Sequence, residues 1–356
     1  MKVAFFTASI NIGGIERVFI TYATGLQKLG YDVNYITCWS DGSLSGKITN
    51  GITVHGLGNI RLRNSIWRLS GLLLKIKPDV IITGNDSTMV VYFAKLLSGL
   101  RNLKIITSQH SYLNNSETLF YSKPIVKWIF PKCEKIISVS KGIEEMLAND
   151  YKLRAPKVVL LNNPINWDLI QQESLKKVYD VPQEKFVVFV GRMTPVKNLP
   201  FLIDSFVKFR ILNPEYTLLL IGDGYVRKEI EKYVSKKGAS TFVKFAGVKS
   251  NPYPYIKKAS CLILPSTSEA FPTVLIEAMS LGVTCVATPT NGVIDILENG
   301  RLGYVSSSFT DSDEFAHLLC NSIAKPFEAK LLIGQVRRKY GLNAKSDELS
   351  TIIQSL

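Results

Sequence analysis

The sequence holds only three histidines and five cysteines in 356 residues. The cysteines, Cys38, Cys133, Cys261, Cys285 and Cys320, form no close pair and no metal-ligand spacing. That argues against a disulfide framework and a structural zinc site, and the thiols are expected to be buried and free in a reducing compartment. No uncharged apolar run approaches the roughly 18 residues of a membrane span. Residues 1–10 are too strand-like and too weakly basic for a secretory signal, so a cytoplasmic protein, soluble or peripheral, is expected. Low-complexity segments are missing too. An apolar content of 46% with 20% charge describes a globular chain, long enough for two ordinary domains.

Acids are scarce: the formal net charge is +14. Between Arg61 and Lys141 thirteen Lys or Arg face only Asp79, Asp86, Glu117 and Glu134, so most of the excess lies in under a quarter of the chain. Such a patch fits anionic phospholipid or nucleic acid. In two segments of this region Trp67, Phe120, Tyr121, Trp128 and Phe130 mix with Arg68, Lys75, Lys123 and Lys127. The mixture suits an interfacial surface on a bilayer, although ordinary core packing of the aromatics would explain either segment alone.

What is present is a repeated alternation of buried strands and helices. Residues 2–9 read as the first strand, and Asn11-Ile12-Gly13-Gly14 turns the chain into a helix. Paired glycines let a backbone approach a ligand closely or simply make a tight turn, and this is not the G-x-G-x-x-G fingerprint. Further strands are expected at 32–38, 52–55, 79–83, 103–107, 134–139 and 158–161, with helices between. This is the pattern of a parallel sheet covered on both faces. His110 stands where the strand at 103–107 ends, a position at which ligands usually bind. The first domain is read as 1–165, and the stretch from 162 to about 183, with Pro164 and Pro182, as a crossing. A second doubly wound α/β domain is read at 183–325, followed by terminal helices in 326–356 that are expected to pack back toward the first domain.

In the second domain the strand at 186–190 leads into a loop holding Arg192 and Lys197, two cations where a helix starts and a plausible diphosphate clamp. Gly222-Asp223-Gly224 suits a tight strand-to-helix turn, and Gly247-Val248 closes a later strand. Residues 259–292 then form a βαβ unit. The strand 261–264 ends in a loop with Glu269, Pro272 suits the first position of a helix, and Val274, Ala278 and Leu281 recur on its apolar face. Thr273 and Glu277 share a different face, and Gly282 stops the helix. The free amides of that first turn favour a phosphate. Asp311-Ser312-Asp313 resembles a metal-binding D-x-D, but it precedes a helical run, where acids cap the first turn.

Taken together, INIGGIERV, TSQHS, SVSKGI, LLNNPI, VFVGRMTPVKN, LIGDG, FAGV and EAFPTVLIEAM stand in an order that resembles the family-4 retaining glycosyltransferases of the GT-B fold. The resemblance covers nearly the whole chain. It implies two Rossmann-like doubly wound parallel-sheet domains facing a cleft that holds a nucleotide-sugar. By that similarity Glu277 matches the ribose-binding glutamate, Arg192 and Lys197 the diphosphate clamp, and the Val248 backbone the base contact. Glu269 matches the glutamate beside the transferred sugar, and His110 the active-site histidine. Gly13 and Gly14 would face the cleft. The loop Ala270, Phe271, Pro272, Thr273, Val274 and Leu275 would hold the sugar and phosphates, with the amides of Phe271 to Leu275 helping.

The resemblance further implies retention by same-face attack, a UDP-sugar as the family-weighted donor, and no metal or other cofactor. The form of the glutamate motif, with a basic first domain, looks most like bacterial enzymes extending lipid-linked oligosaccharide, lipopolysaccharide or capsule precursors. The expected partners are then a nucleotide-sugar, a lipid-linked glycan acceptor and the anionic inner face of the cytoplasmic membrane, with no nucleic acid. Two positions depart from the family pattern. Ala270 stands where glycine is usual, and Asn291-Gly292 where Gly-Gly is frequent. A nucleotide-sugar epimerase or a phosphorylase on the same plan, or in another class a non-catalytic basic nucleic-acid- or membrane-binding protein, are the competing readings.

Overall fold

The computed structural model describes residues 1–10, 14–39, 48, 51–84, 87–113 and 123–356. Within them the first strand, β1 (Lys2–Ser9), feeds two cores at once. Val3 and Phe5 lie in one buried cluster and Ala4 and Phe6 in another, as the period of two in a strand requires. Each fully buried Phe contributes about 1.5–3 kcal/mol. A strand apolar on both faces belongs in a parallel sheet covered on both sides.

The chain divides into two compact units, Met1–Ile165 with Tyr340–Leu356, and Asn166–Lys339. In the first unit β1 is joined by β2 (Asp32–Trp39), β3 (Thr53–Gly56), β4 (Val80–Gly84), β5 (Lys104–Gln109), β6 (Lys135–Ser138) and β7 (Val158–Leu160). They pair in the order β3-β2-β1-β4-β5-β6-β7, all parallel, so the order reverses between β1 and β4. The described helices are α1 (Gly14–Lys28), α2 (Ile66–Ile76), α3 (Thr88–Ser98), α4 (Lys123–Ile129) and α5 (Lys141–Tyr151), with the C-terminal helix Leu342–Gln354 packed on α1. That packing relies on Gly25, because a Cβ there would lie 1.8 Å from the Ser346 hydroxyl. Tyr31 and Ser350 hydroxyls meet at 2.7 Å beside it.

The second unit contains α6 (Trp167–Ser174), β8 (Phe186–Val190), α7 (Leu199–Leu212), β9 (Thr217–Ile221), α8 (Arg227–Lys236), β10 (Val243–Gly247) and α9 (Tyr253–Lys258). It continues with β11 (Leu262–Leu264), α10 (Thr273–Ser280), β12 (Cys285–Ala287), α11 (Asn291–Leu297), β13 (Tyr304–Val305), α12 (Ser312–Ala324) and α13 (Ala329–Tyr340). Its parallel sheet runs β10-β9-β8-β11-β12-β13 and reverses between β8 and β11.

Two boundaries differ from the sequence reading. The second unit starts at Asn166, not near 183, because the expected crossing contains α6, capped by Asn166 Oδ1 accepting from the Leu169 amide at 3.2 Å. Of the terminal helices, only Leu342–Gln354 belongs to the first unit, while α13 lies in the second with Leu332 and Val336 fully buried and Lys339 ion-paired to Glu298.

The basic, aromatic segments split as well. Trp67 is 74% and Trp128 47% exposed, whereas Phe130 is a core residue. The Lys132 ammonium lies 5.0 Å from the Trp128 ring centre. Phe120, Tyr121, Asp86 and Glu117 lie outside the described residues. Among the described residues no helix is long and apolar enough to cross a membrane. The five cysteines are free thiols, four of them buried, and burial pushes the Cys133 and Cys261 thiols up to about 12.

Candidate active site

In the second unit the loops after β8 and β11 leave the sheet where the strand order reverses, the usual ligand position in an open parallel sheet. The loop after β8 is fixed backbone on backbone. Gly191 N donates to Ile221 O at 3.0 Å and Met193 N to Asp223 O at 2.8 Å. A Cβ on Gly222, which has φ +132°, would lie 1.9 Å from Gly191 O, and one on Gly224 would lie 2.0 Å from Met193 O. Only glycines allow this approach. The chain then makes a 3-10 turn at Pro195–Lys197, and Asn198 in the left-handed region (φ 47°) starts α7.

Thr267 N donates to Val196 O at 2.8 Å, which joins the loop after β11 to this turn. Lys197 Nζ thereby reaches the Glu269 carboxylate in a hydrogen-bonded ion pair, with the two side chains 20% and 14% exposed. Neither is a solvated surface charge. At this burial a partner left alone would keep an uncompensated charge. Arg192 in the same loop is exposed and makes no ion pair among the described residues.

Beyond Glu269, Ala270, Phe271, Pro272 and Leu275 are buried, and Thr273 and Val274 keep part of their surface. The Ala270 methyl is therefore a core group. Gly292 is the residue this loop requires, since a Cβ there would sit 2.6 Å from Ala270 O. Asn291 is exposed at the first position of α11, where Thr290 Oγ1 accepts from the Val293 amide at 3.4 Å. Glu277 is 8% exposed, so the helix acid is sequestered from solvent. One expectation needs correction: the Leu275 amide donates to Pro272 O at 3.1 Å and is occupied by the first turn itself. The amides of Thr273 and Val274 open α10 ahead of any i−4 carbonyl of that helix.

The far end of α10 is held by residues that the sequence reading passed over. Trp167 Nε1 and Gln171 Nε2 both donate to Ser280 O, at 3.2 and 2.8 Å. The only signal for α6 was the Asn166 cap. Val248, just past β10, is exposed, and Gly222 N donates to Gly247 O at 2.8 Å beneath it.

In the first unit His110 follows β5. Its ring meets Phe19 edge-on at 5.8 Å, and Nε2 lies 2.8 Å from Ser108 Oγ. Burial of the ring lowers its pKa to about 3, so it is neutral at pH 7. A neutral imidazole can exchange hydrogen bonds with a sugar hydroxyl and supplies no cationic charge. Gly14 opens α1 with exposed backbone, and a Cβ there would meet nothing within 4 Å. Gly13 lies outside the described residues.

The D-x-D resemblance is accounted for by capping. Asp311 Oδ1 accepts from the Asp313 and Glu314 amides at 3.0 and 2.9 Å, and Asp313 pairs with Lys208 at 2.7 Å. Among the described residues no three His, Cys, Asp or Glu gather as a metal-ligand set.

Residues 12–169 match the family model for Glycosyltransferase Family 4, and residues 171–345 that for Glycosyl transferases group 1. A Campylobacter jejuni relative, the GalNAc-alpha-(1->4)-GalNAc-alpha-(1->3)-diNAcBac-PP-undecaprenol alpha-1,4-N-acetyl-D-galactosaminyltransferase, is 28% identical across 97% of this chain and 93% of its own. The UDP-Gal:alpha-D-GlcNAc-diphosphoundecaprenol alpha-1,3-galactosyltransferase of Escherichia coli is 24% identical across 90% and 87%. In fold alone, the crystal structure of Anabaena HepE in complex with UDP-glucose superposes over the whole of both chains with a TM-score of 0.84 at 18% identity. With two matched models that together span nearly the whole sequence, over two doubly wound parallel-sheet units, the chain belongs to the family-4 glycosyltransferases of the GT-B fold.

Proposed function

We propose that this glycosyltransferase moves a hexosyl-type sugar from a UDP-sugar to a lipid-linked glycan acceptor of bacterial surface polysaccharide or oligosaccharide synthesis, with retention at the anomeric carbon and without a metal. The observation that carries the donor site is the Lys197–Glu269 pair at the reversal point of the second sheet. Departure of a nucleoside diphosphate builds negative charge on its β-phosphate. Lys197, Arg192 and the first amides of α10 stabilise that charge through fixed dipoles and cations. Glu277 receives the ribose hydroxyls and the Val248 backbone the base. Glu269 accepts from hydroxyls of the transferred sugar, and neutral His110 hydrogen-bonds near it. Gly13 and Gly14 are assigned to the diphosphate by the family resemblance alone. The two glutamates have different ligands and are not a glycosidase acid/base pair. Retention follows from attack on the leaving-group face, with the departing phosphate taking the acceptor proton.

A donor carrying UDP is supported by the UDP-Gal in the name of the Escherichia coli relative and by UDP-glucose in the Anabaena complex. The acceptor class is supported by the undecaprenol-linked substrates named for both bacterial relatives. Such an acceptor sits at the cytoplasmic leaflet. Exposed Trp67 and Trp128 among the excess cations of residues 61–141 suit that surface, each cation contributing on the order of 1 kcal/mol near it.

The test presents a bacterial lipid-linked oligosaccharide fraction in anionic vesicles with labelled UDP-sugars. The expected result is label entering the organic phase at a rate that falls as ionic strength rises. Transfer indifferent to salt would contradict the membrane contact, and label that stays in water with every UDP-sugar would contradict the donor.

A further inference from the structure

The last four carbonyls of a helix have no partner within it. In α10 three of them are met by the chain's own next residues. Ser280 Oγ donates to Glu277 O at 2.6 Å, Leu281 N and Val283 N both donate to Ala278 O at 3.0 Å, and Gly282 N donates to Met279 O at 3.0 Å. The fourth, Ser280 O, is met from another element: Trp167 Nε1 and Gln171 Nε2 of α6 converge on it at 3.2 and 2.8 Å. Four residues apart, these two side chains share one face of α6, whose start is fixed by the Asn166 cap.

The support is itself held in place. From the end of α13, the Arg337 guanidinium carbon lies 4.2 Å from the Trp167 ring centre. At the start of α13, Ala329 faces the turn that follows α10, where a Cβ on Gly282 would come 2.7 Å from the Ala329 Cβ. Ser280 is fully buried. The carboxyl end of α10 is therefore fixed between α6 and α13. The helix has eight residues and is about 12 Å long, so Trp167 and Gln171 stand a helix length away from the first-turn amides of Thr273 and Val274. They act on that end through the helix and not by touching what binds there.

Resting on the nucleotide-sugar reading above, we infer that Trp167 and Gln171 are positioning residues for the donor. By holding the Ser280 carbonyl they set where α10 presents its first amides to the diphosphate and Glu277 to the ribose. Helix carbonyls point along the axis, so hydrogen bonds to the last of them fix the helix against sliding along that axis. The amide contacts at the other end tolerate little sliding, because a hydrogen bond weakens within a fraction of an ångström of its preferred length. The two N–H donors also complement the negative end of the helix dipole, whose positive end serves the diphosphate. Arg337 contributes by holding the Trp167 ring.

The test is calorimetric titration of the full chain with UDP, well below the unfolding temperature. Trp167→Phe and Gln171→Met remove the donors and keep the bulk, and Gln171→Lys keeps a donor of similar reach. Tyr304→Phe is the structural control: it removes a hydrogen bond of the same kind, from the Tyr304 hydroxyl to Lys325 O at 2.8 Å, on β13 and α12. Losing one hydrogen bond corresponds to about two- to tenfold in an equilibrium constant. Trp167→Phe and Gln171→Met are each expected to weaken UDP on that scale and the double variant by about tenfold or more, while Gln171→Lys and Tyr304→Phe bind UDP as the wild type does. Unchanged affinity in both single variants, a Gln171→Lys protein as weak as Gln171→Met, or an equal loss in Tyr304→Phe would each overturn the positioning role and leave the donor reading standing. Should the double variant fail to fold, the single variants decide. A wild type that does not bind UDP would overturn the donor reading and the positioning role together.

Discussion

Lys197→Ala is expected to lower kcat/KM for sugar transfer by about a hundredfold or more, the scale for losing one preorganised contact to a charge that develops in the transition state. Lys197 comes from the loop after β8, and in the free protein Glu269 holds its ammonium at the reversal point. Its removal acts twice. The leaving diphosphate loses a cation, and Glu269, 14% exposed, keeps a charge without its recorded ion-pair partner. Arg192→Ala acts on the same diphosphate from an exposed position and is expected to fall on the same scale, without disturbing Glu269. Steady-state kinetics of both variants with the preferred donor decide this, and near-normal rates in both would remove the diphosphate clamp.

Glu269→Gln is expected to separate transfer from binding in opposite directions. Turnover falls by about a hundredfold, because the amide oxygen that replaces the carboxylate is a weaker, uncharged acceptor beside the sugar as charge develops. Affinity for UDP, which lacks the sugar, rises several-fold at the same time. In the free protein Lys197 is held by Glu269, and a ligand that takes Lys197 must displace that carboxylate. Neutralising the carboxylate removes the competition. UDP titration beside turnover numbers tests this, and a variant that lost UDP affinity would mean that Glu269 supports the diphosphate and not the sugar.

These two expectations concern a contact spanning 72 positions of sequence, and no local pattern could have disclosed it. Each partner was legible alone. Apolar runs such as Phe186–Val190 end at turn residues, and placing ligands at the carboxyl ends of strands needs only the order of elements. The alternation of strands and helices therefore read correctly. So did the capping role of Asp311, because an acid before an apolar-periodic run has a local reason to be there.

Short elements were lost. Eight residues of α6 and six of α9 cover barely two turns, too few to establish a 3.6-residue period, and β13 has two residues. Burial was the other blind spot. The sequence places Glu277 on a helix face with Thr273, and only packing shows it to be sequestered. The Leu275 amide is a free first-turn donor by sequence position, and only the folded turn brings the Pro272 carbonyl to accept it. Gly222 and Gly224 read as a tight turn, whereas their requirement is the nearness of the Gly191 and Met193 carbonyls.

The most direct measurement is thermal unfolding of the wild type and Lys197→Ala with UDP, GDP and NAD. At a hundred times its dissociation constant a ligand of the native state adds about 2.7 kcal/mol. The expected result is a shift of that size with UDP alone in the wild type, lost in Lys197→Ala at the same concentration. No shift with any nucleotide, or a UDP shift undiminished in Lys197→Ala, would contradict a nucleotide-sugar site at the reversal point of the second sheet.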